Sequence, residues 1–177
     1  MFNTLLFGIG VSKFSLDIDN EIIRDFIYKH KCMDKVHLDS SSKELSDLNS
    51  IVFDKCQEIL DSTVEGHTIK LKKMWWNHGF NEFIDIPHNH RNSFLSCVYY
   101  PLSTDGAIQF HSPFSDFYMA HIPMDDVSTR TLNHYTASHY NLPVKTGDLL
   151  IFNSMLFHRA LIGQNERMSI AYDIDLL

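Results

Sequence analysis

The feature that most restricts the fold is a change of pattern near Glu65. Beyond it, apolar residues come in short runs broken by polar residues, Gly and Pro. The runs are Thr68–Trp76, Ile86–His90, Phe94–Pro101, Ala107–Phe110, Phe117–Ile122, Leu149–Phe152 and Arg167–Ile174. Runs of this length between turn residues read as strands, and a long series of them predicts a β-sandwich or jelly-roll. Lys145-Thr-Gly-Asp148 is a well-made turn, because Gly147 can take a positive φ before the run Leu-Leu-Ile-Phe.

Ahead of Glu65 the spacing is helical. Asn3–Leu16, apolar with β-branched and aromatic residues, suits a first strand. Asp19–His30 carries Ile22, Ile23, Phe26 and Ile27 on one helix face. Ser41–Thr63 repeats Leu45, Leu48, Val52, Cys56 and Ile59 at three and four, and Ser41 with Glu44 has the form of a capping box. A helical pair followed by strands predicts a mainly β fold with N-terminal helices packed on one outer face. At 177 residues the chain is expected to form one domain, with 1–65 as strand and helical support and 66–177 as jelly-roll core.

Composition narrows the partners. Acidic residues outnumber basic ones 22 to 15, so the formal charge is −7. Phosphate binding is built on clustered Lys and Arg, so this balance argues against nucleic acid or an anionic membrane as partner. No apolar run approaches the roughly 18–20 residues that span a bilayer. The opening residues have no basic region and no small-residue cleavage site, so they do not read as a signal peptide. Cys32, Cys56 and Cys97 are widely spaced and odd in number, which suggests neither a disulfide framework nor a thiolate zinc site. The expected location is cytoplasmic.

Histidine is abundant, at 11 residues, and His88-Asn-His90 is the one H-x-H. Random placement would give about 0.7 such pairs, so the motif alone decides nothing. Its setting adds weight. Residues two apart on a strand share a face, so His88 and His90 can present two imidazoles to one ion at a strand rim. His158 follows the run Gly147-Asp-Leu-Leu-Ile-Phe152 by a short step, and Arg167 opens an alternating strand with Ser169 on the same face. An early H-x-H, a late lone His and an Arg-x-Ser one strand further form an ordered constellation.

In these pieces the stretch Trp75–Ile174 resembles the small 2-oxoglutarate/Fe(II) oxygenases of bacteria and their phages, and more distantly the prolyl hydroxylases. The pieces are Trp75-Trp-Asn77 with Gly79, His88-Asn-His90, Ser93, Ser96-Cys-Val-Tyr-Tyr100 and Gly106-Ala-Ile-Gln-Phe110. They continue with Gly147-Asp-Leu-Leu-Ile-Phe152, Ser154-Met-Leu-Phe-His158 and Arg167-Met-Ser169, and Leu5-Leu-Phe-Gly8 fits the usual start. The resemblance implies a double-stranded β-helix, a jelly-roll of the cupin type. It also implies Fe(II), 2-oxoglutarate and O2 as cofactor and co-substrates, with a small-molecule or peptide substrate.

The same resemblance implies His88 and His158 as imidazole ligands of the iron. Tyr100 and Arg167 would hold the distal carboxylate of 2-oxoglutarate, with Ser169 assisting. A bidentate guanidinium and a phenol match a partly buried carboxylate, and a chain of this net charge needs such a pocket to accept a dianion. His90 completes the expected metal set of His88, His90 and His158. In the wider superfamily its position is usually a carboxylate, making two His and one Asp or Glu around Fe(II). If His90 is not a ligand, Asp85 is a nearby carboxylate. Three imidazoles also suit zinc, copper or nickel.

Two rivals remain open. A three-histidine cupin-type dioxygenase would use no 2-oxoglutarate and would leave Arg167 and Tyr100 without a purpose. A non-catalytic jelly-roll, like lectin and capsid domains, would turn nothing over. Of Trp75 and Trp76, at most one lines the pocket and the other is core. Met155-Leu-Phe157 is expected to pack beneath His158. His111 reads as a surface strand histidine, and His121, His134 and His139 as parts of a solvated loop.

Overall fold

The computed structural model describes residues 10–30, 41–63, 66–80, 86–114, 137–161 and 163–177. The described strands form two antiparallel sheets. The larger contains β1 (Val11–Ser15), β6 (Asp148–Asn153), β3 (Leu95–Leu102), β8 (Arg167–Leu176) and β2 (Ile69–Gly79), in that order. The smaller contains β5 (His139–Pro143), β4 (Ala107–His111) and β7 (His158–Leu161). Their inner faces meet over Tyr100, Ile108, Phe110, Val144, Leu150, Phe152 and Leu156. This is the expected jelly-roll.

Helices α1 (Asn20–Lys29) and α2 (Ser46–Asp61) cover the outer face of the larger sheet. Asp19 caps α1 by accepting from the Glu21 and Ile22 amides at 2.9 and 3.4 Å. Ile23, Phe26 and Ile27 of α1 join Leu48, Val52 and Cys56 of α2 in one core with the outward faces of β2, β3, β6 and β8. Interior strand β8 is thus buried on both faces over its first eight residues. It interleaves two sets of side chains. Met168, Ile170, Tyr172 and Ile174 enter the helical core, and Arg167, Ser169, Ala171 and Asp173 alternate with them.

The described structure departs from the sequence reading at several points. Helix α2 starts at Ser46, later than expected, behind a 3₁₀ turn at Lys43–Leu45, and neither Ser42 nor Leu45 makes a side-chain cap bond. The turn instead buries Leu45 completely. Ile86–His90 is not a strand, since within it only His88 pairs, in an isolated bridge to His158. Two strands were not expected. β7 is four residues, His-Arg-Ala-Leu, without an apolar alternation, and β5 is a largely exposed edge strand ending in Pro143. His139 therefore sits on a strand. The run Phe117–Ile122, residues 3–9 of the first expected strand, His121 and His134 lie outside the described residues.

The turn before β6 is as expected. Gly147 has φ +90°, donates to the Tyr100 carbonyl at 2.9 Å, and accepts from the Leu16 amide at 2.8 Å. A Cβ there would lie 3.1 Å from the Leu16 carbonyl oxygen. Cys56 and Cys97 are buried free thiols 3.3 Å apart between α2 and β3. No helix among the described residues is long and apolar enough to cross a membrane.

Candidate metal centre

His88 and His158 exchange backbone hydrogen bonds, each amide to the other's carbonyl at 2.9 Å. This reciprocal pair sets their side chains on one side of a short two-stranded ribbon. The His90 amide donates to the Ser154 carbonyl at 2.8 Å, holding the segment's far end beside the chain that leads into β7. The three rings converge, with centroids 4.7, 5.2 and 5.3 Å apart, and one nitrogen from each lies within 4.8 Å of the others. Among the described residues this is the one group of His, Cys, Asp or Glu so disposed to hold a metal ion.

The ring hydrogen bonds identify the nitrogens. His88 Nδ1 lies 2.8 Å from the Ile86 carbonyl, and His158 Nδ1 lies 2.9 Å from the Leu156 carbonyl. A carbonyl only accepts, so both Nδ1 atoms carry protons and Nε2 bears the lone pair that could hold a metal ion. The same device, a bond to the carbonyl two residues back, is used twice. His90 differs. Its Nδ1 lies 2.7 Å from Oδ1 of Asp173, a carboxylate the sequence reading did not single out.

Packing holds the rings as well. Phe152 meets the buried His158 ring edge-on at 4.8 Å, and Phe110 flanks it at 6.3 Å. Of the segment expected beneath His158, only Leu156 packs inward, while Met155 and Phe157 are exposed. Trp75 stacks on His90 at 5.5 Å and Trp76 enters the helical core, so the alternation of the pair holds.

A cavity of about 230 Å³ joins the three histidines to Tyr100, Arg167 and Ser169. Tyr100 is fully buried, and the Arg167 guanidinium lies 4.8 Å from its ring centroid. Burial pushes the Tyr100 hydroxyl upward from its ordinary range, and the Arg167 guanidinium partly opposes that. One Arg167 nitrogen, NH1, donates to the Ala107 and Leu161 carbonyls at 3.3 and 3.2 Å. Arg167 Nε and the Tyr100 hydroxyl are buried without a hydrogen-bond partner among the described residues. Nor does any described carboxylate reach the guanidinium. A buried cation costs several kcal/mol unless it is paired, so this pair is chemically matched to an anion supplied by a ligand.

Three further residues complete this end. Asn77 Nδ2 donates to Ser169 Oγ at 3.4 Å across the β2–β8 ladder. Gly106 gives passage to the Arg167 stem, since a Cβ there would lie 3.0 Å from Arg167 Cδ and 2.9 Å from Ser103 Oγ. Glu166 accepts at one oxygen from Tyr28 at 2.7 Å and contacts His78 Nε2 at 2.6 Å, anchoring the start of β8. His111, expected on the surface, is only partly exposed. Burial, then the charges of Arg159 and His139, lower its pKa from the ordinary value.

With this geometry in hand, residues 73–173 match the family model described as "Putative 2OG-Fe(II) oxygenase". No curated protein matches the chain. Among solved structures, a prolyl-4-hydroxylase from Pseudomonas putida is similar over 94% of this chain and 88% of its own, at 14% identity and TM-score 0.64. HygX from Streptomyces hygroscopicus with nickel and 2-oxoglutarate bound is similar over 94% of this chain and 82% of its own. Its identity is 13% and its TM-score 0.60. The protein is an oxidoreductase of the jelly-roll class that depends on iron and 2-oxoglutarate. The chain belongs to the 2-oxoglutarate/Fe(II) oxygenase family, whose chemistry uses Fe(II), 2-oxoglutarate and O2.

Proposed function

We propose that the protein hydroxylates a small molecule or peptide at a centre where His88, His90 and His158 bind Fe(II) through Nε2. Tyr100 and Arg167, with Ser169 assisting, hold the far carboxylate of 2-oxoglutarate. The observation that carries this reading is the buried Arg167–Tyr100 pair, which no carboxylate among the described residues reaches, in the same cavity as the three imidazoles. A three-histidine dioxygenase that used no 2-oxoglutarate would have no use for it.

Bound iron and 2-oxoglutarate supply the oxidising chemistry, which places one oxygen atom of O2 in succinate and the other in product, with release of CO2. The chain's own residues bind and orient. Arg167 fixes one end of the co-substrate by a charge-assisted contact, and Tyr100 adds a neutral donor beside it. Phe110 and Phe152 keep water from the buried side of His158. Ala160 and Ala171 leave the mid-cavity open. One structure of HygX carries hygromycin B, and the Pseudomonas neighbour is a prolyl-4-hydroxylase, so both small-molecule and peptide substrates fit the architecture. We place the protein in the cytoplasm, where the contacting thiols of Cys56 and Cys97 would stay reduced.

The test is iron-dependent conversion of 2-oxoglutarate to succinate, in wild type and in Arg167→Ala. A charge-assisted contact is typically worth ~1.5–3 kcal/mol, so KM for 2-oxoglutarate should rise roughly ten- to a hundredfold with metal affinity little changed. Equal 2-oxoglutarate dependence in the two proteins would remove Arg167 from the site. Oxygen consumption without succinate would favour the cupin-type rival.

A further inference from the structure

We propose that Asp173 is a positioning carboxylate of the metal centre, supplying through His90 the negative charge that a carboxylate ligand usually brings. This rests on the reading of His88, His90 and His158 as the metal ligands. Three neutral imidazoles leave a divalent ion its full charge, whereas a set of two His and one carboxylate lowers it by one. Asp173 Oδ1 lies 2.7 Å from His90 Nδ1, so the missing charge stands one imidazole away from where it would otherwise sit.

The surroundings favour this over a purely structural role. Asp173 is 8% exposed, and among the described residues no Lys or Arg reaches it. Its one other side-chain contact among the described residues is the Ser96 hydroxyl, which donates to the same oxygen at 3.4 Å. Lys73 pairs with it across the β2–β8 ladder, yet the Lys73 amine lies over the Trp75 ring instead, 5.0 Å from its centroid. A buried carboxylate left to an imidazole and a hydroxyl is well placed to compensate a cation on the far side of that imidazole. His88 and His158 lean on carbonyls, which orient a ring without adding a charge. His90 Nδ1 instead faces a carboxylate, which does both.

The bond also holds the ring. Accepting from Nδ1 fixes the tautomer that presents Nε2 to the ion, and Trp75, stacked within 14° of parallel, restricts the ring's tilt. Ligand supports of this kind typically change metal affinity by about 10- to 100-fold when removed.

The experiment uses the full chain and Mn(II) under anaerobic conditions, with calorimetric titration of wild type, Asp173→Asn and His158→Ala. Asp173→Asn keeps the size of the side chain and removes its charge. We expect its Mn(II) affinity to fall about 10- to 100-fold, while thermal unfolding of the metal-free protein is unchanged. Unchanged affinity in Asp173→Asn, beside lost binding in His158→Ala, overturns the role of Asp173 and leaves the three-histidine centre standing. Unchanged affinity in both overturns the centre and this inference with it. A measurement on the unsubstituted protein covers the case in which Asp173→Asn does not fold. In the Zn(II)-loaded wild type, ¹⁵N-edited NMR should find the Nδ1 proton of His90 furthest downfield of the three ligand imidazoles, because it faces a carboxylate where those of His88 and His158 face carbonyls. A His90 ligated through Nδ1, or an Nδ1 proton no further downfield than those of His88 and His158, overturns the proposal.

Discussion

At the scale of single residues, the co-substrate end depends on a residue with no side chain. Arg167 reaches its position by crossing Gly106, where a Cβ would stand 2.9 Å from Ser103 Oγ and 3.0 Å from Arg167 Cδ. Ser103 is itself held by a 3.1 Å bond to the Val144 carbonyl, so it cannot yield cheaply. Gly106→Ala should therefore displace the guanidinium. A misplacement of about 1 Å in a positioning group can cost up to ~100-fold, so KM for 2-oxoglutarate should rise roughly tenfold or more. Mn(II) affinity should not change, because Gly106 touches none of the histidines. Steady-state succinate kinetics beside metal titration check this, and a fall in metal affinity would show that the two ends of the cavity are not independent. Asp173 marks the limit of what residue-scale reading can find. The sequence pattern places it on the face of Arg167 and Ser169, but its value depends on which way the His90 ring turns, and spacing says nothing of that.

At the scale of elements, strands were legible where burial shaped their composition. β3, β6 and β8 are apolar because helices cover one face of their sheet and the smaller sheet covers the other. β5 and β7 escaped because an edge strand and a four-residue strand need no such pattern. The segment at His88 misled in the opposite sense, since its spacing is that of a strand while its only ladder contact is one bridge. The residues that meet in one cavity could be picked out along the chain, and what joins them could not. β8 supplies the join. Arg167 at its start is a buried cation without a described anion, and Asp173, six residues on, is a buried carboxylate without a described Lys or Arg. At ~3.3 Å per residue the two stand roughly 20 Å apart along one backbone. A strand with a buried cation at its start and a buried carboxylate in its second half would complement the proposed ligand pair, anionic at one end and a metal cation at the other. The Gly147 turn aligns β6 with its neighbours at the same level. With φ +90° and the Leu16 carbonyl close by, Gly147→Ala should destabilise the fold by about 1 kcal/mol or more. Urea unfolding measures this, and a neutral result would mean that the turn relaxes without strain.

At the scale of the whole molecule, the proposed site would make the two ligands a clamp between sheets. His158 belongs to the smaller sheet, Tyr100 and Arg167 belong to the larger, and His90 lies between β2 and β3, leaning on Trp75 and Asp173 of the larger sheet. A metal held by the three histidines would tie one sheet to the other, and 2-oxoglutarate held by Arg167 would extend the tie. Ligands that bind only the native state stabilise it by about 2.7 kcal/mol at a free concentration of a hundred times Kd. For a chain of this size each kcal/mol moves Tm by about 2–4 °C, so each ligand at a hundred times its Kd should raise Tm by about 5–11 °C, and Mn(II) with 2-oxoglutarate by about twice that. Mn(II) alone should give a smaller rise, and 2-oxoglutarate without metal almost none, because the Arg167 contact then lacks its partner at the chelating end. Arg167→Ala should keep the rise from Mn(II) and lose the increment from 2-oxoglutarate. Thermal unfolding of the two proteins under the four ligand conditions, without oxygen, checks each arm. An equal rise from 2-oxoglutarate with and without metal would place its binding away from the three histidines.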